Sequence, residues 1–138
     1  MANALYAYAK QSFLGQSPSI NMASDTIKAA LVTAAYTANT GAGGDQFFSA
    51  CSSNVVGTPQ QLTSPTVSGG VFNAASPVTY TAVSGTTVTQ IILYKDTGTA
   101  TTSPLIAKID VASNLPVTPN GGNITITWDS SASKIFAL

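Results

Sequence analysis

Val78-Thr79-Tyr80-Thr81-Ala82-Val83, then Ser84-Gly85, then Thr86-Thr87-Val88-Thr89-Gln90-Ile91-Ile92-Leu93-Tyr94, is the stretch that decides the fold. β-Branched and aromatic residues stand on both sides of a Ser-Gly pair, and this pattern predicts a β-hairpin with its turn at Ser84-Gly85. In the second strand, Ile91 to Tyr94 is apolar at four consecutive positions. Side chains on a strand alternate between faces, so this run is apolar on both, and the strand is expected centrally, between two covering layers.

Further strands extend outward from this pair. Leu105, Ala107, Ile109 and Val111 alternate with Ile106, Lys108 and Asp110, and Ile124, Ile126 and Trp128 alternate with Thr125, Thr127 and Asp129. The connection between them, Pro116 to Gly122, is turn chemistry throughout. Upstream, Ile27, Ala29 and Leu31 take one face and Lys28 and Ala30 the other, which predicts a half-buried strand from Thr26. Lys134 to Leu138 reads as a short terminal strand.

One helix is expected near the N-terminus. Asn3 can cap it, Leu5, Tyr8, Ala9 and Phe13 fall on one face, and Gly15 with Pro18 supplies the stop. About ten residues of helix are marginal alone, so the apolar face must dock on its own sheet or on a neighbouring subunit. Residues 35–77 are rich in Gly, Ser, Thr and Asn with dispersed apolar side chains. A structureless loop of that length is improbable in a compact domain, so the segment is expected to hold short strands or to act as an interaction arm.

Together these readings give a mainly all-β chain: one antiparallel β-sandwich domain over residues 1–138, with residues 1–24 as an N-terminal helix or arm and 35–77 as an irregular middle segment. At this length about two-thirds of the unfolded surface leaves water on folding, enough for one core. The adjacent aromatics Phe47 and Phe48 would face opposite ways on a strand. Burial within the domain accounts for both, or one or both anchor a subunit contact; with Tyr6 and Phe13 of the helical segment they form the set of interface candidates.

The inventory of chemistry is short. The chain has no His, Arg or Glu, one Cys, five Asp and five Lys. General acid–base, metal and phosphate chemistry draw mainly on the missing types, so an enzyme is not expected, nor a cofactor or metal. Charged residues make up 7% of the sequence, against about 25% in a typical soluble domain. The formal net charge is +0, so little repulsion keeps copies apart, as suits a subunit of an assembly. Five scattered lysines offer no basic face, and neither nucleic acid nor a membrane surface is expected as a partner. No apolar run reaches the length of a membrane span, and Met1 to Tyr6 carries no basic segment ahead of one, so synthesis in a cytoplasm is expected.

Motif-like fragments have plainer explanations. Ser133 and Lys134, as neighbours on a strand, point to opposite faces and cannot act as a nucleophile and base pair. Asp25, Asp45, Asp96, Asp110 and Asp129 lack the tight spacing of a calcium loop. Asn123-Ile124-Thr125 matches a glycosylation sequon but lies in a strand without a secretion signal. Gly41-Ala42-Gly43-Gly44 lacks the Lys and hydroxyl of a phosphate loop, and Lys95-Asp96-Thr97-Gly98-Thr99 closes a strand with turn residues. Cys51 is alone and reads as a small buried hydrophobe.

Asp25 to Val32, Tyr94 to Thr99, Leu105 to Asp110, Leu115 to Asp129 and the closing Lys134 to Leu138 resemble a family of small tailed-bacteriophage virion proteins. The resemblance covers residues 1–34 and 78–138. It implies a β-sandwich, often a jelly roll, and a capsid cement or decoration protein that binds the outside of the capsid and bridges major capsid proteins as a dimer or trimer. It implies no catalytic residue. Missing chemistry, a neutral surface and the lack of a basic face for packaged DNA point the same way, toward the virion exterior after assembly in the host cytoplasm. A tail, collar or fibre-associated adaptor or receptor-binding protein would share these properties, and copy number per particle separates the two. A glycan hydrolase is disfavoured, since no close pair of Asp residues suggests an acid and a nucleophile.

Overall fold

The computed structural model describes residues 3–112, 114–132 and 134–138. Its elements run β1 (Ala4–Leu5), α1 (Ala7–Phe13), β2 (Ile27–Thr33), β3 (Val55–Gln61), β4 (Thr66–Ser68), β5 (Val71–Asn73), β6 (Val78–Tyr80), β7 (Val88–Lys95), β8 (Leu105–Ile109), β9 (Ile124–Ile126) and β10 (Phe136–Ala137). All paired strands are antiparallel. They form a five-stranded sheet in the order β1-β8-β7-β2-β3, a three-stranded sheet β10-β5-β4 and the pair β6-β9. The protein is thus mainly β, with a single α-helix among the described residues.

β7 lies at the centre of the large sheet, as its two-sided apolar run requires. Ile91, Ile92 and Leu93 are fully buried. The register places Ile27, Ala29, Leu31, Ile91, Leu93, Ala107 and Ile109 on one face, and Lys28, Ala30, Val32, Gln90, Ile92 and Tyr94 on the other. The small sheets cover the first face: the Tyr80 hydroxyl of β6 donates to the Ala29 carbonyl at 2.8 Å, and Ile109 shares a groove with Trp128 and Ile135. The chain between β2 and β3 covers the second. There the ring of Phe48 stacks on Tyr94, and Gln90 Nε2 donates to the carbonyls of Thr33 and Tyr36. Two layers of antiparallel strands over a shared apolar interior make a β-sandwich.

The expected hairpin is not formed. β6 pairs with β9, while β7 pairs with β2 and β8. The reason lies in burial: β6 buries Val78 and Tyr80 and exposes Thr79, which matches the one-sided β9, whereas β7 is buried on both faces and takes longer strands on both edges. Residues 81–87 instead make a corner between layers, with Ala82 at φ 51° and Gly85 at φ 132°. Main-chain bonds between Val83 and both Gly121 and Gly122 pin that corner.

Three local expectations also shift. The helix has seven residues and Tyr6 at its N-cap; the Asn3 side chain instead accepts from the N–H groups of Asp110 and Val111, both at 3.0 Å. Leu5 belongs to β1, and the buried helix residues are Ala9 and Ser12 in place of the face drawn through Tyr8. Gly15, at φ 102°, ends the helical segment as its sequence position suggests. β2 is buried on both faces except at Lys28, because the segment after it folds back over Ala30 and Val32. β8 stops at Ile109, so Val111 is exposed; Asn3 has taken the main-chain donors that would have carried the ladder on.

The middle segment contains β3, β4, β5 and two single turns of 3₁₀ helix at Phe48–Ala50 and Ser52–Asn54. It packs on its own chain through Phe48, Val56, Leu62 and Phe72, all buried.

Candidate interaction surface

The carboxylates serve the fold. Asp96 pairs with Lys28 at 2.6 Å and accepts from the Gly98 N–H; Asp25 pairs with Lys95 at 3.0 Å and accepts from the Asn21 N–H. Asp110 pairs with Lys108 at 3.0 Å, and Asp129 holds the N–H and hydroxyl of Ser131. Asp45 accepts from the Tyr36 hydroxyl and the Asn39 N–H. Among the described residues, no group of three or more His, Cys, Asp or Glu side chains gathers in a way that could hold a metal. Three of the five lysines are held in ion pairs, while Lys10 is exposed and Lys134 is half-buried outside them.

A buried relay, Tyr6 to Tyr36 to Asp45, has oxygen separations of 2.8 Å at each step. Burial raises both phenols above the ordinary tyrosine range, and at Tyr36 the bonds to Tyr6 and Asp45 add to the effect. Tyr36 donates to the carboxylate and so accepts from Tyr6, which ties the start of the helix to the loop that covers the large sheet. Cys51 is fully buried beside this cluster; desolvation pushes its thiol up to about 12, the reverse of what a nucleophile needs. Ser133 of the Ser–Lys fragment lies outside the described residues.

The four interface candidates divide. Tyr6 and Phe48 are buried within the chain, one in the relay and one against Tyr94, so neither ring is presented to a partner. Phe47 is half-buried, with its main chain bridged to Pro104. Phe13 is half-buried and stacks on Phe136 at 6.3 Å between ring centroids, while Phe136 stacks on Phe72 at 5.4 Å. Phe13 therefore lies in an apolar groove of about 300 Å³ with Ile20, Met22, Val67, Phe136 and Leu138. The structure does not bring it together with Phe47.

Sequence reasoning missed this groove. Its far wall is made by β10, which lies within the terminal strand expected over Lys134 to Leu138, and by β4, three residues long and too short to show a period. One signal was present: Gly69-Gly70 between Val67 and Val71 is a two-residue hairpin turn, and both glycines have positive φ, at 58° and 78°. Among the described residues the exposed large apolar side chains are Leu14, Val67, Val111 and Leu138. Two of these four, Val67 and Leu138, line the groove.

A scan against protein-family models and a search of curated proteins each return no match to this chain.

Proposed function

We propose that this protein is a bacteriophage capsid cement protein: a β-sandwich that binds the outside of the assembled shell and bridges neighbouring major capsid proteins. The observation that carries the reading is the fate of the ionised groups. Every described Asp is engaged within the fold, three in ion pairs with lysine; apart from Lys10, Lys134 and a few carboxylate edges, this leaves a surface of hydroxyls, amides and small apolar groups suited to adhesion and poor in groups for turnover. The resemblance of residues 1–34 and 78–138 to small tailed-phage virion proteins supports the same reading.

The mechanism is mass action. A protein that binds the assembled lattice and not its separated subunits shifts the balance toward the lattice, and modest contacts repeated over many sites resist the pressure of packaged DNA. The test uses particles made without the protein. They should release DNA at a lower temperature than wild-type particles, and adding back purified protein should restore the wild-type value. Equal release temperatures would overturn the cement role.

A further inference from the structure

We infer that β4 is a dimerisation edge: two copies pair antiparallel about a two-fold axis at Val67, joining their three-stranded sheets into one continuous sheet and uniting their apolar grooves. The inference goes beyond the capsid reading and does not depend on it.

Three observations carry it. The first is the phase of the hairpin. In a two-residue hairpin the residues beside the turn form a hydrogen-bonded pair, and bonded and non-bonded pairs alternate from there. Ser68 pairs with Val71, Val67 with Phe72 and Thr66 with Asn73 across Gly69-Gly70. Val67 and Phe72 are thus the non-bonded pair, and the main-chain groups of each point away from the other. On the Phe72 side this is visible, since its carbonyl accepts from the Ile135 N–H on the β10 side at 3.2 Å. On the Val67 side the N–H and C=O face the free edge of the sheet, because β4 is its outermost strand.

The second is self-complementarity. A two-fold axis requires an edge to match its own reverse. Turned on Val67, the segment Thr66-Val67-Ser68 sets Val67 against Val67 of the second copy, each N–H donating to the other's C=O, and sets Thr66 against Ser68, hydroxyl against hydroxyl. Because Val67, Phe72 and Phe136 are directly opposite in register, their side chains share one face, the face of the groove. In the paired sheet the two grooves therefore lie on the same side, next to each other.

The third is composition: β4 is short and follows Pro65, but its own three residues carry no blunting side chain. The edge strand β3 of the large sheet, by contrast, contains Pro59 and Gly57 at φ 71°, features that blunt strand addition. β4 has neither proline nor charge, all three of its residues are exposed, and Val67 is 55% exposed. Among the described residues no charged side chain lines the groove, and copies with formal net charge +0 meet no overall repulsion.

Sedimentation across a concentration series should show reversible association to twice the chain mass. Val67→Pro removes the outward N–H without touching a bond inside the chain, and Val67→Asp places like charges opposite each other; both should sediment as monomers with unchanged circular dichroism. Val67→Cys supplies a second readout, because hydrogen-bonded partners on antiparallel strands sit about 5.5 Å apart at Cα, within disulfide range. Mild oxidation should link Val67→Cys into a covalent dimer and leave the exposed control Thr81→Cys largely unlinked. A wild-type chain that stays monomeric throughout, a trimer, or a dimer indifferent to both Val67→Pro and Val67→Asp would overturn the inference while leaving the cement reading to its own test.

Discussion

The hydroxyl of Tyr80 reaches across the interior to the main-chain carbonyl of Ala29, 51 residues away in sequence and 2.8 Å away in space. The ladder between β2 and β3 shifts register between Ala29 and Leu31, and at that irregularity Tyr80 supplies a donor from the opposite layer. One hydrogen bond thus couples the two sheets at the place where the large one is least regular.

Tyr80→Phe keeps the ring and removes only the donor. Because Tyr80 is fully buried, the carbonyl left behind has no ready access to water, and a loss of about 1–3 kcal/mol is expected in urea unfolding. A change below about 0.5 kcal/mol would mean that the contact contributes nothing net.

Trp128 lies two residues beyond β9 yet keeps the inward phase of Ile124 and Ile126, and it is buried. Trp128→Ala should cost about 3–5 kcal/mol. As the only tryptophan, it should also give a blue-shifted emission that moves red on unfolding. Emission already at the solvent-exposed wavelength in the folded protein would contradict its burial.

Stability should fall at both ends of the pH scale. Burial holds the phenols of Tyr6, Tyr36 and Tyr80 above their ordinary value of 10.0, and pushes Tyr94 and Cys51 up to about 12. Above the unfolded values of 9.0 for the thiol and 10.0 for the phenols, the folded chain binds more protons than the unfolded one, so stability is lost as pH rises. The Lys28 hydrogen bond, aided by the Gly98 N–H, holds Asp96 below 3.8, and the N–H and hydroxyl of Ser131 do the same for Asp129. There the unfolded chain binds more protons, and stability is lost as pH falls below that value. Urea midpoints measured from acid to alkaline pH should trace a plateau between these limbs. Unchanged midpoints above pH 10.0 would contradict the burial of the phenols.

Cys51 should be inert in the folded protein. With the side chain buried and the thiol pushed up to about 12, a thiol reagent near neutral pH should react orders of magnitude more slowly than it does in denaturant. Equal rates would place the thiol at the surface.

How much of this was legible in the sequence depends on the range of the physics involved. The central position of β7 follows from Ile91 to Tyr94 alone, since alternation leaves an apolar run no polar face. Its partners do not follow. The Ser84-Gly85 signal marks a reversal of chain, and a local signal cannot tell a hairpin from a corner between layers; the match of burial between Tyr80 and Ile124 decides that, and it is tertiary. Likewise Phe47-Phe48 left burial of both rings, or a subunit contact for one or both, open to the sequence, and only the fold of the preceding loop selects Phe48 for Tyr94. The groove at Phe13 was half visible, through a helical residue and the terminal strand that carries Phe136, while Val67 sits on a strand too short for any period to reveal.

Quantitative mass spectrometry of purified virions bears most directly on the role as capsid cement. Hundreds of copies per particle, in simple ratio to the major capsid protein, are the result expected of a lattice-binding subunit. Absence from purified particles, or a complement of a dozen copies or fewer that purifies with tails, would contradict it.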